Sequence, residues 1–355
     1  MPVSAWNGCC WRRWWASARA SLSRRASGSA WNRGFLRSLL DTRGGLPRIG
    51  DDDEGTLFQG EGTSQERIGS VLAALAALRQ KPEIAPIAVR PQMRQALFGA
   101  LTGAAAPSGV RHFPKGGYTV AREHTAAGEA LLVFDDGPLG YLSIAAHVHA
   151  DALSVWLHVD GRPVLIDAGT LLYHASDGWW DHFRGTAAQN TLSIDGRDSS
   201  QVAGPFNWSA KAQARVVGQN DGEGWWVEAE HDGYVADYGY RHRRRVERRA
   251  AGIFHVIDSL VGVGGVERVE VGFLIAPELE VATAAGGWVV QDRGRRLLYL
   301  RHEGPLKGWL ERGLETPKRG WYSPSFGLRQ PAPRICFAGK MWPGVSATFI
   351  LSVRG

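Results

Sequence analysis

The densest chemistry in the chain lies within Ala146–Ser154, where His147, His149 and Asp151 alternate with alanine and valine. Read as a strand, this alternation turns all three side chains to one face. Asp167 ends a second apolar run, Arg162–Asp167, which begins just after an Asp160-Gly161 turn. Asp-Gly between two apolar runs predicts a β-hairpin, which returns Asp167 towards the histidines. Two imidazoles and a carboxylate meeting at a strand end suit a borderline divalent cation, zinc above all. Hydrogen-bonded structural histidines are the other reading of the same spacing. Asp151 either orients His147 or His149 as a supporting carboxylate or bonds turn amides.

These residues need a scaffold, and the chain after about Val110 supplies one in short apolar runs between Gly, Asp and Asn turns. They include Gly117–Arg122, Ala130–Asp135, Ser154–Val159, Val164–Asp167, Thr191–Ile194, Ala212–Val217, Gly224–Glu230, Arg243–Arg249, Gly252–Asp258, Glu267–Ile275, Leu297–Arg301 and Ser346–Val353. Many short strands at this spacing predict a mainly β fold, a large antiparallel β-sandwich. Before it, Ile68, Val71, Leu72, Leu75 and Leu78 recur at three and four residues, which predicts an amphipathic helix over about 65–80. Prolines 82, 86 and 91 interrupt, a short helix follows over Met93–Leu101, and Ala104–Gly109 reads as a linker. The expected organisation is an irregular basic segment over 1–48, a short helical remnant over 49–105 and the sandwich over 106–355.

The first 48 residues hold five tryptophans, nine arginines and one acid, Asp41, without helical or strand period. An out-of-frame or internal start, a disordered basic tail and a transit-like segment are the readings of this composition. Gly50–Gly55 is an acidic turn without the spaced oxygen ligands of a calcium loop, and reads as solvated. The chain of 355 residues carries a formal charge of +6 and a pI of about 9.4. Such a surface attracts polyanions, and charge does not choose between nucleic acid and acidic polysaccharide. The three cysteines, Cys9, Cys10 and Cys336, form neither a disulfide framework nor a CxxC pair. No apolar run approaches the roughly 20 residues of a membrane span, and no signal peptide is visible. Oligomeric state is not legible.

Gly137–Ser154 as a whole, with Arg162–Thr170, Trp180–Thr191, Asp195–Asp198 and, more weakly, Arg241–Val246 and Gly320–Gly327, resembles the heparinase II/III-like polysaccharide lyases. The resemblance covers about Gly117 to the C-terminus and, more thinly, the region from Gly50. It implies a supersandwich-like β domain after an α/α toroid, with an acidic polysaccharide lying between them and cleaved by β-elimination in the periplasm or cell envelope. In that chemistry a base takes the proton alpha to a uronate carboxylate and an acid protonates the leaving glycosidic oxygen. The carboxylate itself must first be neutralised. By this likeness His147 matches a catalytic histidine, and His149 and Asp167 match metal ligands. The third ligand of metal-bearing members is a histidine before Asn-Thr. Gln189 stands there in this chain, and an amide oxygen is a poor zinc ligand beside imidazole. His174 and His182 lie nearby but off that position. The family's tyrosine and carboxylate-neutralising group belong to the helical domain, for which this chain shows only a remnant, so a fragment is one expectation.

The remaining candidates carry two readings each. Arg184 either binds a substrate carboxylate beside His147 or pairs with Asp181 or Asp151 to hold the fold. Tyr173 and Trp180 either line the sugar cleft or pack on the sandwich rim, and His174, Trp179 and Trp208 share that choice. Gln189 and Asn190 either contact substrate or support a turn. The run Arg241–Arg245 alternates on a strand, as an exposed attractor of acidic sugar or as a solvated, edge-protecting charge run. The function expected is cleavage of an acidic polysaccharide, the alternative a non-catalytic carbohydrate-binding sandwich. Nucleic acid would need basic residues interleaved with exposed aromatics on one surface and is not the expected partner.

Overall fold

The computed structural model describes residues 34–52, 64–126, 128–140, 145–174 and 177–353. Most of the basic segment and half of the acidic turn lie outside these residues. The chain divides into two units, Met1–Pro107 and Ser108–Gly355.

In the first unit the helix Ser64–Arg79 realises the apolar repeat. Ile68 and Leu72, four residues apart on one face, close a small core with Leu40. Leu40 itself follows a helical stretch over 34–39, inside the segment expected to be irregular. Ala76 packs with Ile84 and Ala85 after the proline-initiated turn Pro82–Ile84. The helix Met93–Phe98 stops at Gly99, whose φ of 75° suits glycine.

In the second unit all strand pairing is antiparallel. The first sheet runs in chain order through β1 (Gly109–Phe113), β2 (Tyr118–Thr125), β3 (Gly128–Asp135), β4 (Val155–Val159) and β5 (Arg162–Leu165). β6 (Leu192–Ile194) follows, then a ribbon of β7 (Gln201–Gly204) and β8 (Asn207–Ala210). Next come β9 (Ala214–Asn220), β10 (Trp226–Tyr234), β11 (Tyr240–Ala250), β12 (Ile253–Gly262) and β13 (Glu267–Leu274). β14 (Glu280–Ala284), β15 (Gly287–Asp292), β16 (Arg295–Glu303) and β17 (Lys307–Arg312) lead to two short ribbons. These are β18 (Leu314–Glu315) with β19 (Lys318–Arg319), and β20 (Trp321–Tyr322) with β21 (Gln330–Pro331). β22 (Pro333–Met341) and β23 (Ser346–Ser352) close the chain. An eight-stranded sheet has the order β14-β15-β16-β23-β12-β11-β10-β9, and a four-stranded sheet the order β17-β22-β13-β6.

The eight-stranded and four-stranded sheets meet through Phe273, Phe337 and Phe349, whose rings lie 4.9–6.3 Å apart edge to face. Such pairs add to the burial of the rings themselves. The fold is a mainly β, antiparallel sandwich with a short helical segment before it. No helix among the described residues is long and apolar enough to cross a membrane.

The β4–β5 hairpin forms as expected. Asp160 and Gly161 take φ of 52° and 68°, the left-handed pair that a tight hairpin turn needs. Just beyond it, Ile166 N–H donates to Leu274 O at 3.0 Å and ties the end of the hairpin to β13. Asp167 is thereby fixed between the first sheet and the four-stranded one.

Candidate active site

The alternating segment around His147 is not a strand. Residues 145–154 form consecutive turns, with Ala145 and Leu153 at φ of 47° and 62°. Alanine, histidine and aspartate have little strand preference, and burying His149 and Asp151 rewards turns that satisfy them. The three side chains therefore part company. His147 is half-buried, whereas His149 and Asp151 are buried.

Two layers result. The outer one gathers rings around Tyr173. Its centroid lies 6.1 Å from His147, 5.9 Å from Trp180, 4.9 Å from Phe206 and 5.2 Å from Phe326. His147 also lies 5.3 Å from Phe206, and Trp180 5.1 Å. Phe206 comes from the β7–β8 turn, and Trp208 of β8 donates its indole N–H to Ala145 O at 2.9 Å, anchoring the ribbon to the His147 loop. His174 is exposed on the same loop as Tyr173. Phe206 and Phe326 stand in turn-rich polar stretches, and no periodicity in the sequence marks them.

The inner layer is sealed: His149 and Gln189 have no exposed surface and Asp167 has 1%. His149 Nδ1 lies 3.2 Å from Asp167 Oδ2 and 3.2 Å from Gln189 Nε2. Asp167 Oδ1 accepts the Gly169 N–H at 2.6 Å. Gly169 has φ of 79°, and a Cβ there would lie 2.4 Å from Ser323 O, so only glycine fits this approach. Ser323 answers by donating its N–H to Ala168 O and its hydroxyl to Thr170 O, at 2.8 and 2.7 Å. Burial, with Asp167 close by, lifts the Asp151 carboxyl to about 7 against the opposing pull of His149. Burial, then Asp151, raises Asp135 as well.

Arg184, Gln189 and Asn190 are buried and hydrogen-bonded within the fold. Arg184 is 3% exposed, forks onto Asp181 Oδ1 at 2.5 and 3.1 Å, and lies 4.3 Å over Trp180 and 5.4 Å from Trp208. It holds the helix Trp179–Arg184 and its aromatic neighbours in place. Asn190 donates to Val155 O and Ile166 O, both at 2.9 Å, and accepts the Leu274 N–H at 2.8 Å. One side chain thus ties β4, the end of the hairpin and β13, the turn-supporting reading of that residue. Trp179 packs into the core and is flanked by Arg329 at 3.5 Å.

Charged residues that looked like a surface run hold this layer from behind. β11 is inside the eight-stranded sheet, so the expected edge-protecting role of Arg241–Arg245 is corrected, and only Arg241, Arg243 and Arg245 keep partial contact with solvent. Alternation sends His242 and Arg244 inward and Arg241, Arg243 and Arg245 outward, the last two against Glu230 and Glu247. Arg244, fully buried, forks onto Asp258 at 2.7 Å and donates to Leu153 O and Asn190 O at 2.8 and 2.7 Å. Asp258 also accepts from His242 Nε2 at 2.7 Å. His242 Nδ1 then accepts from His231 Nε2 at 3.2 Å, and His231 Nδ1 accepts the Gly233 N–H at 3.1 Å. The chain of bonds is self-consistent with both imidazoles neutral, the form that burial favours for each. Arg334 adds a second buried guanidinium 3.4–3.5 Å from Gln189 O, in space that Gly272 leaves open.

The inner layer does not fit zinc as it stands. His149 and Asp167 supply two donors, but the third corner is the NH2 end of Gln189, which also donates to Phe183 O at 3.0 Å. Among the described residues no three of His, Cys, Asp and Glu gather as a metal site requires. His182 packs on Trp179 and Phe183 instead. Burial, with Arg334, Lys318 and Arg319 nearby, drops its pKa to about 3.

Among solved structures, the fold is similar to a heparinase III with methylated lysines, with a TM-score of 0.67 and 18% identity over 90% of this chain and 45% of that one. It is similar to the heparan sulfate lyase from Pedobacter heparinus, with a TM-score of 0.68 and 17% identity over 91% of this chain and 46% of that one. A further heparinase III gives 0.66 and 16%, over 91% and 48%. The chain thus spans just under half the length of these structures. No curated protein matches the sequence significantly. The family model for the heparinase II/III-like C-terminal domain matches residues 105–350, and by that match over more than half its length the chain belongs to this family.

Proposed function

We propose that this chain is the sandwich part of a polysaccharide lyase that cleaves an acidic, uronate-containing polysaccharide by β-elimination. The observation that supports it is the position of His147: a half-buried imidazole at the rim of a ring cluster, on a loop anchored through Trp208 and backed by a sealed polar layer. Tyr173 and Trp180 form the sugar-facing wall with Phe206 and Phe326, because sugar rings present apolar faces that aromatic rings cover. His147 exchanges a proton at the scission point. In the reaction the C5 proton leaves to a base, its electron pair forms the C4–C5 double bond, and the C4–O bond breaks. The departing oxygen then takes a proton from an acid. His147 supplies one of these transfers. The other, and neutralisation of the uronate carboxylate, falls in this proposal to groups outside the sandwich. In this proposal the protein meets its polymer in the periplasm or cell envelope.

The test is incubation of the full chain with heparan sulfate, chondroitin sulfate and alginate, read by ultraviolet absorbance of the unsaturated product. Absorbance that rises with wild type and is lost in His147→Ala supports the proposal. Turnover unchanged in His147→Ala overturns it. A second reading, a carbohydrate-binding sandwich without turnover, is favoured by one observation: Arg184, Gln189 and Asn190 are all committed to interior bonds. It predicts glycan retention on an affinity column, weakened by Trp180→Ala, with no product formed.

A further inference from the structure

We infer that the corner formed by His149, Asp167 and Gln189 is closed by hydrogen bonds and works without a metal ion, with Gln189 as the positioning residue that takes the third corner. The argument turns on which end of the Gln189 amide faces inward. Phe183 O lies 3.0 Å from Nε2, a carbonyl that only the NH2 end can serve. Turning the amide over would set two acceptor oxygens 3.0 Å apart with no proton between them. The orientation is therefore chosen by Phe183, at the C-terminal end of the helix Trp179–Arg184.

With the NH2 end fixed inward, His149 Nδ1 meets an N–H donor where a cation would need a lone pair. Nδ1 serves one partner at a time. As N–H it donates to Asp167 Oδ2 at 3.2 Å while one N–H of the Gln189 amide serves Phe183 O and the other faces the imidazole edge, where no lone pair is left for a cation. Gln189 Oε1 remains sealed without a donor among the described residues, so the amide's oxygen points away from the corner rather than into it. The separations would also suit a tetrahedral centre. Two ligands about 2.0–2.1 Å from zinc stand about 3.3 Å apart, close to the 3.2 Å found between the atoms here. The corner thus has the size of a zinc site with a donor in place of the third ligand. A single side chain decides between the two states, so Gln189→His should build the centre.

The experiment uses the full chain and zinc alone. Wild type should purify with substoichiometric zinc by elemental analysis, and neither a chelator nor added zinc should move its melting temperature. Gln189→His should hold one zinc per chain and gain about 5–10 °C with zinc at a hundredfold over its dissociation constant. Cobalt(II) should give that variant the visible absorption of a tetrahedral centre, and Gln189→His with His149→Ala should lose both. One tightly held zinc in wild type, removed by His149→Ala or Asp167→Asn, overturns the inference. So does a fall in wild-type melting temperature on chelation, and this arm needs no variant to fold. No glycan enters these measurements, so their outcome is separate from that of the lyase proposal.

Discussion

Replacing Arg244 by methionine should unfold the site from behind without touching any residue that faces out. The change keeps most of the side-chain volume and removes four hydrogen bonds, two to Asp258 and one each to Leu153 O and Asn190 O. Breaking one side of a buried ion pair costs about 3–5 kcal/mol, because the abandoned charge stays buried. Each carbonyl that loses its donor adds about 1 kcal/mol. The total, about 6 kcal/mol, corresponds to a fall of roughly 12–24 °C for a unit of this size. Asp258 keeps His242 as a partner at 2.7 Å. Arg244 is one of the charges that hold the His242 pKa down, so its loss raises that pKa above the wild-type value. A raised folded pKa stabilises at low pH and is lost as pH rises, so the variant should be relatively less damaged in mild acid. Adding Asp258→Asn removes the abandoned charge and should recover about half of the loss. Denaturant unfolding followed by tryptophan fluorescence measures all three chains. A single variant that costs under about 1 kcal/mol, or a double variant no milder than the single, would refute the reasoning.

Asp136 is buried, which lifts its carboxyl from 3.8 to about 6 despite the hydroxyl that Thr119 donates to it. A raised folded pKa means the native state holds the proton more tightly, so this contribution is full below about pH 4 and is lost as pH rises through 6. Asp136→Asn should flatten the pH–stability curve there by about 3 kcal/mol, measured by urea midpoints across the window. Gly169→Ala sets a Cβ 2.4 Å from Ser323 O at a φ of 79° and should cost about 3 kcal/mol in thermal or denaturant unfolding. Asn190→Leu leaves the Leu274 N–H without its acceptor and Val155 O and Ile166 O without their donor. It should destabilise by about 3 kcal/mol in the same assay, whereas His147→Ala should stay within about 1 kcal/mol of wild type.

The hairpin was legible because its signal is local. Asp160-Gly161 between two apolar runs demands one turn geometry, and that geometry is present. Each of the twelve apolar runs falls on a strand for a similar reason, since burial on one or both faces writes its period into the sequence. β14, β15 and β17 were harder to see. Their residues are partly exposed and mixed in polarity, and β22 opens on a proline. The His147 segment deceived because alternation is necessary for a strand but not sufficient. A strand also needs a neighbour to complete its ladder, and the named strands nearest in the chain, β3 and β4, pair with each other.

The Arg241–Arg245 run misled in the opposite way. Charge density reads as surface, yet a central strand sorts alternate residues to opposite faces, and Arg244 is buried with the carboxylate that makes burial bearable. Nothing local distinguishes Arg244 from Arg243, since Asp258 lies 14 residues away and Leu153 and Asn190 lie 91 and 54 away. What the folded chain adds is the division of labour between layers. His147, Tyr173, Phe206 and Phe326 keep part of their surface exposed, while His149 bonds Asp167, and Asp167, Gln189 and Asn190 bond the backbone around them. Variation of the outer layer should therefore move glycan binding and turnover with little change in melting temperature, and variation of the inner layer should move both together.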